Sequence, residues 1–200
     1  MKTFYTMENS FSVLSSIIKE RRSTKPAQLN GSVIPDEQVE KLLELADWAP
    51  NHGNTEPWRF IVYAGAAAKS FCKDHADLYK RMIPAENFMQ GSYDKIIENG
   101  NHASHIIVAV MQRGKLPKIP LWEEEAATAA AMQNILLGAT ALGIASFWST
   151  GGMVHNPAMK DFLQLNEHDR VMGILFLGYS DAENKGKRTI PLTDKVKWVS

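Results

Sequence analysis

A long stretch without charge dominates this sequence, since residues 126–154 contain no acidic, basic or histidine residue. A membrane-spanning helix needs about 20 mostly apolar residues, so the length alone would suffice to cross a bilayer. The composition argues against a membrane span, because Thr, Ser, Asn and Gln are scattered among Ala and Gly. A helix that is uncharged on all sides belongs in a protein core or a large interface. The stretch therefore predicts a central helix followed by a buried strand.

The whole chain has the composition of one globular domain, with 200 residues of which 44% are hydrophobic and 22% charged. We expect a single domain over 1–200, with an N-terminal extension at 1–11 and a C-terminal arm at 181–200. Lys and Arg number 22, as do Asp and Glu, and this zero net charge argues against a nucleic-acid-binding protein. The N-terminus is too polar for a secretory signal. Cys72 is the single cysteine and excludes an intramolecular disulfide, so we expect a cytoplasmic protein.

Hydrophobic periodicity predicts helices and strands in irregular order. Apolar stripes at helical spacing mark the helices, and short apolar runs between turn residues mark the strands. Asn156 can cap a helix that begins with Pro157, and Glu123 suits the positive end of another. The predicted helices span 12–21, 35–48, 66–81, 93–104, 123–142 and 156–165, and the predicted strands span 58–63, 106–111, 143–150 and 171–178. Helices and strands without strict alternation favour an α+β fold, with one sheet covered by helices.

Several catalytic signatures are absent from the sequence. It contains no Gly-x-Gly-x-x-Gly, no Walker A sequence and no Gly-x-Ser-x-Gly. His102 and His105 have a His-x-x-His spacing, but no neighbouring carboxylate or cysteine completes a zinc set. We therefore expect no metal site, no P-loop and no serine hydrolase.

The first positive signal is a basic cluster, Arg21–Lys25, at the end of the first predicted helix. Arginine side chains form paired hydrogen bonds to phosphate oxygens, and the hydroxyls of Ser23 and Thr24 add donors. The cluster can hold a phosphate. The alternative is a solvated basic turn at the negative end of a helix, and spacing alone favours it.

The second signal is a polar turn, residues 49–58, between a predicted helix and a predicted strand. Its amides and imidazole, at Asn51, His52 and Asn54, can hydrogen-bond the edge of a planar heterocycle. Asn side chains in turns also satisfy their own backbone, and this alternative is the stronger one for the turn alone.

Two further segments follow the long uncharged helix. Residues 143–152 end a buried strand with aromatics, hydroxyls and glycines, and glycine permits close approach of the backbone to a ligand. Phe147 and Trp148 are core residues in the alternative interpretation. The basic segment Lys185–Arg188 either closes over a phosphate or forms part of a solvated tail.

In this order, the four segments resemble the nitroreductase family of flavin mononucleotide (FMN) enzymes, from about Ser12 to Trp198. The resemblance implies a nitroreductase-like fold, with a central, mostly antiparallel sheet and an intertwined homodimer that binds FMN between its subunits. It also implies ping-pong hydride transfer through flavin N5, from NAD(P)H to a nitroaromatic, a quinone or another electron-poor acceptor. No side chain is expected to be catalytic, because the flavin carries the chemistry.

The resemblance also implies the residues that bind the cofactor. By this resemblance, the FMN phosphate is held by Arg21, Arg22, Ser23 and Arg188, and the cation on the pyrimidine side of the flavin is Lys25. The turn that the partner subunit supplies to the ring contains Trp48, His52 and Asn54. The strand end behind the ring contains Phe147, Trp148 and Ser149. The sequence departs from many members of the family in having Glu56 where they have Gln and His52 where they have Ser. It also lacks a substrate-shaping insertion, which leaves residues 79–93 as the candidate lid.

Other functions remain open at this stage. The same fold can reduce activated double bonds or break down the flavin, and a flavin-binding or redox-sensing module without enzymatic activity is a further alternative. The sequence contains no signal that selects the acceptor or chooses between NADH and NADPH.

Overall fold

The computed structural model describes residues 7–199. Helix α1 begins at Met7 rather than at Ser12 as predicted, because the apolar stripe continues through Phe11. The helices are α1 (Met7–Glu20), α2 (Asp36–Asp47), α3 (Gly65–Met82), α4 (Gln90–His102), α5 (Leu121–Ala141) and α6 (Pro157–Phe162). The strands are β1 (Trp58–Ala64), β2 (His105–Met111), β3 (Ala145–Ser149) and β4 (Arg170–Gly178).

The strands form one sheet in the order β1-β2-β4-β3. Each neighbouring pair is antiparallel, which confirms the expected sheet. In register, Ile107 of β2 lies opposite Leu175 of β4, and a bulge follows Ala109. In this order β3 lies at one edge of the sheet.

Helices cover both faces of this sheet. On one face, Ile107 of β2 and Leu175 of β4 pack in a cluster with residues of α2 and α5. On the other face, Ile106 and Phe176 pack in a cluster with residues of α3 and α6. Because successive strand side chains alternate between faces, the apolar run of β2 is buried along its whole length. This arrangement confirms the α+β fold.

The uncharged stretch forms the predicted central helix and strand. α5 buries Met132, Ile135 and Leu136 in the core. No helix in the described part of the chain is both long and apolar enough to cross a membrane. The large apolar side chains of Trp122 and Leu142, near the two ends of α5, are exposed.

The N-terminus of α5 contains a buried charge that the sequence did not predict. Glu124 is 1% exposed, although the sequence indicated only that the glutamates at 123–125 suit the positive end of a helix. Its carboxylate accepts hydrogen bonds from the Arg113 guanidinium and from the backbone N–H of Gly114. The pair fixes the segment between β2 and α5, because a buried carboxylate needs such partners.

Candidate functional site

Three of the four segments singled out in the sequence meet at the first residues of β3. Ser23, which is exposed, forms an isolated parallel bridge with Ser146. The backbone N–H of Thr24 donates to the carbonyl of Ser146 over 2.9 Å. From the C-terminal side, the Asn184 amide donates to the Thr24 hydroxyl over 3.1 Å. The cluster Arg21–Lys25 therefore lies between the edge strand and the polar chain that follows β4.

The local sequence accounts for the extended shape of this segment. α1 ends at Glu20, and Pro26 opens a short 3₁₀ turn over Pro26–Gln28. The residue before a proline is driven out of the helical region, and Lys25 has ψ of 145°. The chain therefore leaves α1 in an extended conformation that can pair with β3.

The guanidinium of Arg22 is oriented by the end of its own helix, while Arg21 beside it is half-buried. Nη1 of Arg22 donates to the carbonyls of Lys19 (2.5 Å) and Arg21 (2.8 Å), at the end of α1 where helical carbonyls lack partners. Within residues 7–199, its Nε is the one buried side-chain nitrogen or oxygen without a hydrogen-bond partner. Nε and Nη2 form the edge with which arginine binds two oxygens of a phosphate. An anion would supply the missing acceptor.

The second basic segment, Lys185–Arg188, lies against the first. A Cβ atom at Gly186 would stand 2.6 Å from Cζ of Arg22, so a larger residue there would displace the guanidinium. The side chains of Lys25 and Arg188 are exposed. No carboxylate in the described residues forms an ion pair with these cations. The two segments together concentrate positive charge beside β3.

A cavity of about 280 Å³ lies at the other end of β3. Apolar side chains from β4 and α4 line part of it, namely Ile174, Phe176 and Ile96. Polar side chains and glycines from α3, α4, the end of β3 and the loop after it line the rest: His75, Tyr79, Ser92, Lys95, Asn99, Ser149, Gly151 and Gly152. Apolar walls with a few polar groups are typical of a site for a planar organic ligand.

His75 is the buried titratable group of this cavity. The residue is 4% exposed, and its Nε2 accepts a hydrogen bond from the backbone N–H of Met153 over 2.9 Å. Burial lowers the pKa of His75 from 6.5 to about 4, because apolar surroundings disfavour the charged ring. At neutral pH the ring is therefore uncharged and carries its proton on Nδ1.

The aromatic residues of β3 face opposite sides of the sheet. Phe147 packs with the cluster under α3, and Trp148 packs with the cluster under α5. The Trp148 indole Nε1 donates to the carbonyl of Met172 over 3.2 Å. Ser149 lines the cavity, on the same face as Phe147. The two rings thus pack in the core, and neither Phe147 nor Trp148 lines the cavity.

The turn that contains His52 and Asn54 lies elsewhere in the same chain. His52 Nδ1 is 2.6 Å from Oε2 of Glu123 at the start of α5. Trp48 is 86% exposed, and Asn54 is exposed as well. In residues 7–199, no hydrogen bond joins the turn to the other three segments. Within one chain, the structure therefore brings together three of the four segments.

The amide of Asn51 satisfies backbone within this turn, as the alternative interpretation expected. Its Oδ1 accepts from the backbone N–H of Glu56 over 3.2 Å. The Glu56 side chain is exposed, and its backbone has φ of 42°. Asn54 also has a positive φ, of 51°, a conformation that Asn tolerates better than most residues.

The candidate lid, residues 79–93, is held by an aromatic cluster. The ring centroids of Tyr79 and Phe88 are 5.6 Å apart, and those of Phe88 and Tyr93 are 6.1 Å apart. The Tyr93 hydroxyl donates to Oδ1 of Asp77 over 2.8 Å. The segment thus joins α3 to α4 next to the cavity.

The His-x-x-His pair is divided between different partners. His105 Nε2 lies 3.0 Å from Oδ1 of Asp36, and its Nδ1 lies 3.0 Å from the hydroxyl of Ser104. His102 lies 3.9 Å from Glu98 on its own helix. His105 therefore links the start of β2 to α2.

Sequence analysis singled out Ser149, Gly151 and Gly152 of this cavity, but it missed His75 and the polar face of α4. Ser92, Lys95 and Asn99 follow helical spacing and form one face of α4, so the spacing alone would have placed them together. His75 had no such signal, because it is a single polar residue within the buried face of α3.

Comparison with known proteins gives a consistent result. A model of the Nitroreductase family matches residues 18–179. The Escherichia coli K12 protein named "Putative NAD(P)H nitroreductase YdjA" is 28% identical over 168 residues, which are 82% of this chain and 86% of that protein. A nitroreductase-like family protein from Bacillus cereus superposes with a TM-score of 0.80 at 28% identity, covering 100% of this chain and 98% of that one. A Bacteroides fragilis nitroreductase with bound FMN superposes with a TM-score of 0.69 at 23% identity, covering 94% and 98%.

Proposed function

This chain belongs to the nitroreductase family, and on that premise we propose that it is an oxidoreductase that binds FMN and uses NAD(P)H to reduce electron-poor acceptors. The Bacteroides fragilis neighbour was solved with bound FMN. The name of the Escherichia coli relative includes NAD(P)H nitroreductase. The residues of this chain fit such a cofactor at both ends of β3.

The observation that carries the proposal is the unpaired edge of Arg22. A buried polar atom without a partner is rare in proteins, and a phosphate group would satisfy Nε here. Arg21 and Ser23 adjoin Arg22 in the chain, and Arg188 follows Gly186, which lies against Arg22, so these residues would add donors and positive charge. Charge-assisted hydrogen bonds of this kind are stronger than neutral ones, so the cluster would hold the dianionic end of FMN.

The cavity at the other end of β3 supports the ring of the same cofactor. Its apolar side chains suit the isoalloxazine, and Ser92 and Asn99 offer hydrogen-bonding groups to the ring edge. Lys95 lines this cavity, and Lys25 is the last residue of the basic cluster. A positive charge from either side chain beside the ring would favour the reduced, anionic flavin. When bound, FMN would accept a hydride from NAD(P)H and pass it to the acceptor. The protein binds, orients and shields, and we assign no nucleophile or general base.

Exposed apolar side chains support a homodimer. Large apolar groups on α1, at the end of α2 and in the C-terminal arm lie at the surface: Phe11, Val13, Leu14, Ile18, Leu45, Trp48, Trp198 and Val199. Obligate dimer interfaces are apolar in this way. A second copy that covers them would also let Trp48, His52 and Asn54 contact the ring bound by the partner. Gel filtration that returns a monomer of the holoprotein would contradict this part of the proposal.

We also propose one domain over residues 1–200 and a cytoplasmic location. Both sheet faces contribute to cores within a single sheet. Cys72 is a buried free thiol, which a reducing compartment preserves.

The first experiment is an absorbance spectrum of the purified protein, followed by anaerobic addition of NADPH and then NADH. We expect flavin bands that bleach with either or both reductants. Addition of an aromatic nitro compound or of menadione should then restore the bands. Turnover of an activated alkene in their place would assign the same site to a different reduction.

Two outcomes would overturn the proposal. Flavin bands that persist with both reductants would favour a flavin-binding module without this activity. A colourless protein that fails to take up added FMN would remove the cofactor itself.

A further inference from the structure

We infer that His75 is a positioning residue, which holds the loop after β3 in the shape that the FMN ring requires. The inference deepens the proposed function and rests on it. His75 belongs to α3, far in sequence from the motifs, and it would act through the backbone of the loop rather than on the reacting atoms.

The contact between imidazole and loop is direct and buried. Nε2 of His75 accepts from the backbone N–H of Met153 over 2.9 Å. Met153 is itself 1% exposed, so water cannot replace the acceptor. A buried N–H without a partner is costly, and the loop is therefore tied to α3 at this atom.

The backbone of the loop at Gly152 lies directly against the imidazole of His75. Gly152 has φ of +67°, a conformation that side chains with a Cβ rarely adopt. A Cβ at this position would stand 2.7 Å from Nε2 of His75 and 3.0 Å from its Cε1. The backbone and the imidazole are thus in close contact, and a change in either one displaces the other.

The same loop forms a wall of the cavity. Gly151 and Gly152 of the loop line it, together with His75 and with Ser149 at the end of β3. Movement of Met153 away from α3 would therefore shift groups that face the proposed ring. Because the imidazole of His75 is neutral and accepts at Nε2, it adds no positive charge to the cavity at neutral pH.

The test compares two substitutions at one position. His75→Leu removes the acceptor, whereas His75→Gln places an amide oxygen near the position of Nε2. We expect His75→Leu to weaken FMN binding by about tenfold or more, as loss of one buried hydrogen bond predicts. His75→Gln should stay within about threefold of wild type. Kd is measured by quenching of flavin fluorescence, together with the visible spectrum of the bound flavin.

The control is His102→Leu, which makes the same chemical change at a half-buried position at the end of α4, outside the cavity lining. It should leave the Kd and the spectrum unchanged. The melting temperature of each apoprotein separates a purely structural role from positioning. If the role is purely structural, His75→Gln should restore the melting temperature without restoring FMN affinity.

The outcomes separate this inference from the proposed function. If wild-type protein fails to bind FMN, the proposed function fails first. If wild type binds FMN and His75→Leu binds it equally well, or if His75→Gln loses as much affinity as Leu, the inference alone is overturned. Should His75→Leu fail to fold, Gly152→Ala tests the same contact from the loop side. Retention of wild-type affinity in that variant would also overturn the inference.

Discussion

The two ends of the proposed cofactor site are built in opposite ways. At the phosphate end, contiguous charged residues, Arg21 and Arg22, lie near the surface beside a second basic segment. At the ring end, the structure uses a loop backbone and a buried, uncharged imidazole, His75, contributed by a distant helix. One end binds by charge and the other by shape.

This difference decides what the sequence can reveal. A phosphate binds to several charged groups that one short segment can supply, so the pattern of residue types is visible in the sequence. A ring pocket depends on where backbone atoms and apolar walls are placed, and this placement is a tertiary property. The predictions below test the division, from the largest expected effect to the smallest.

The strongest test removes charge at the phosphate end. Arg21→Ala with Arg22→Ala should weaken FMN binding by about 100-fold or more, since each charge-assisted hydrogen bond contributes about 1.5–3 kcal/mol. The matched control is Lys41→Ala with Lys69→Ala, which removes the same charge from exposed positions of α2 and α3. The measurement is a fluorescence titration with FMN. Full flavin occupancy in the arginine double variant would sink the phosphate assignment.

The ring end should show a titration of stability that the phosphate end lacks. The pKa of His75 is lowered by burial from 6.5 to about 4. The neutral ring is favoured in the folded state, so its contribution to stability is complete above pH 6.5. The contribution is lost as the pH falls through 4, and it amounts to about 3 kcal/mol in total.

The measurement is the free energy of unfolding in urea between pH 7.5 and 4. Carboxyl and imidazole groups elsewhere in the chain also titrate in this range. The informative quantity is therefore the stability of wild type relative to His75→Gln, which should decrease as the pH falls from 6.5 to 4. A difference that does not vary with pH would contradict a neutral, buried His75.

Much of the fold was predictable because it rests on local patterns. The apolar run at 106–111 gave a strand that is buried on both faces. Asn156 caps α6 as predicted, its side chain accepting from the backbone N–H of Ala158 over 2.9 Å. The antiparallel sheet was expected only from the family resemblance, because strand order depends on contacts between distant residues.

The candidate site was predictable at its charged end and, at the ring end, only for the strand end that contains Ser149. The burial of Glu124 could not be read from three consecutive glutamates, because its partner Arg113 lies before the helix in a separate loop. Phe147 and Trp148 were grouped as one aromatic signal, although strand alternation sends them to opposite cores. His75 became visible only once α3 was packed against the loop.

A smaller effect, on stability, is expected at the close contact between Gly173 of β4 and Trp148 of β3. A Cβ at Gly173 would stand 2.1 Å from Nε1 of Trp148, so Gly173→Ala forces the indole or β4 to move. We expect a loss of about 1–3 kcal/mol in the free energy of unfolding, as overpacking of a core produces. The control is Gly91→Ala in α4, where an added Cβ meets nothing within 4 Å.

The control should be neutral or stabilising by up to about 1 kcal/mol, because Ala favours the helix over Gly. If Gly173→Ala proves as harmless as Gly91→Ala, the packing of Trp148 on β4 is looser than the structure indicates. Both free energies come from urea unfolding of the apoproteins, so that FMN binding does not enter the comparison.

The smallest effect is expected in the turn that neither end of the site contacts within one chain. His52 and Glu123 are 2.6 Å apart, but the His52 side chain is 59% exposed. An exposed pair contributes about 0.2–1 kcal/mol. A double-mutant cycle with His52→Ala and Glu123→Ala, by urea unfolding at pH 6, should return a coupling energy in this range for the apoprotein at low concentration. The same cycle at high concentration tests the homodimer, because a second copy that covers the turn would desolvate the pair and enlarge its coupling energy. A value that stays small while gel filtration reports a dimer would place the turn outside the subunit interface.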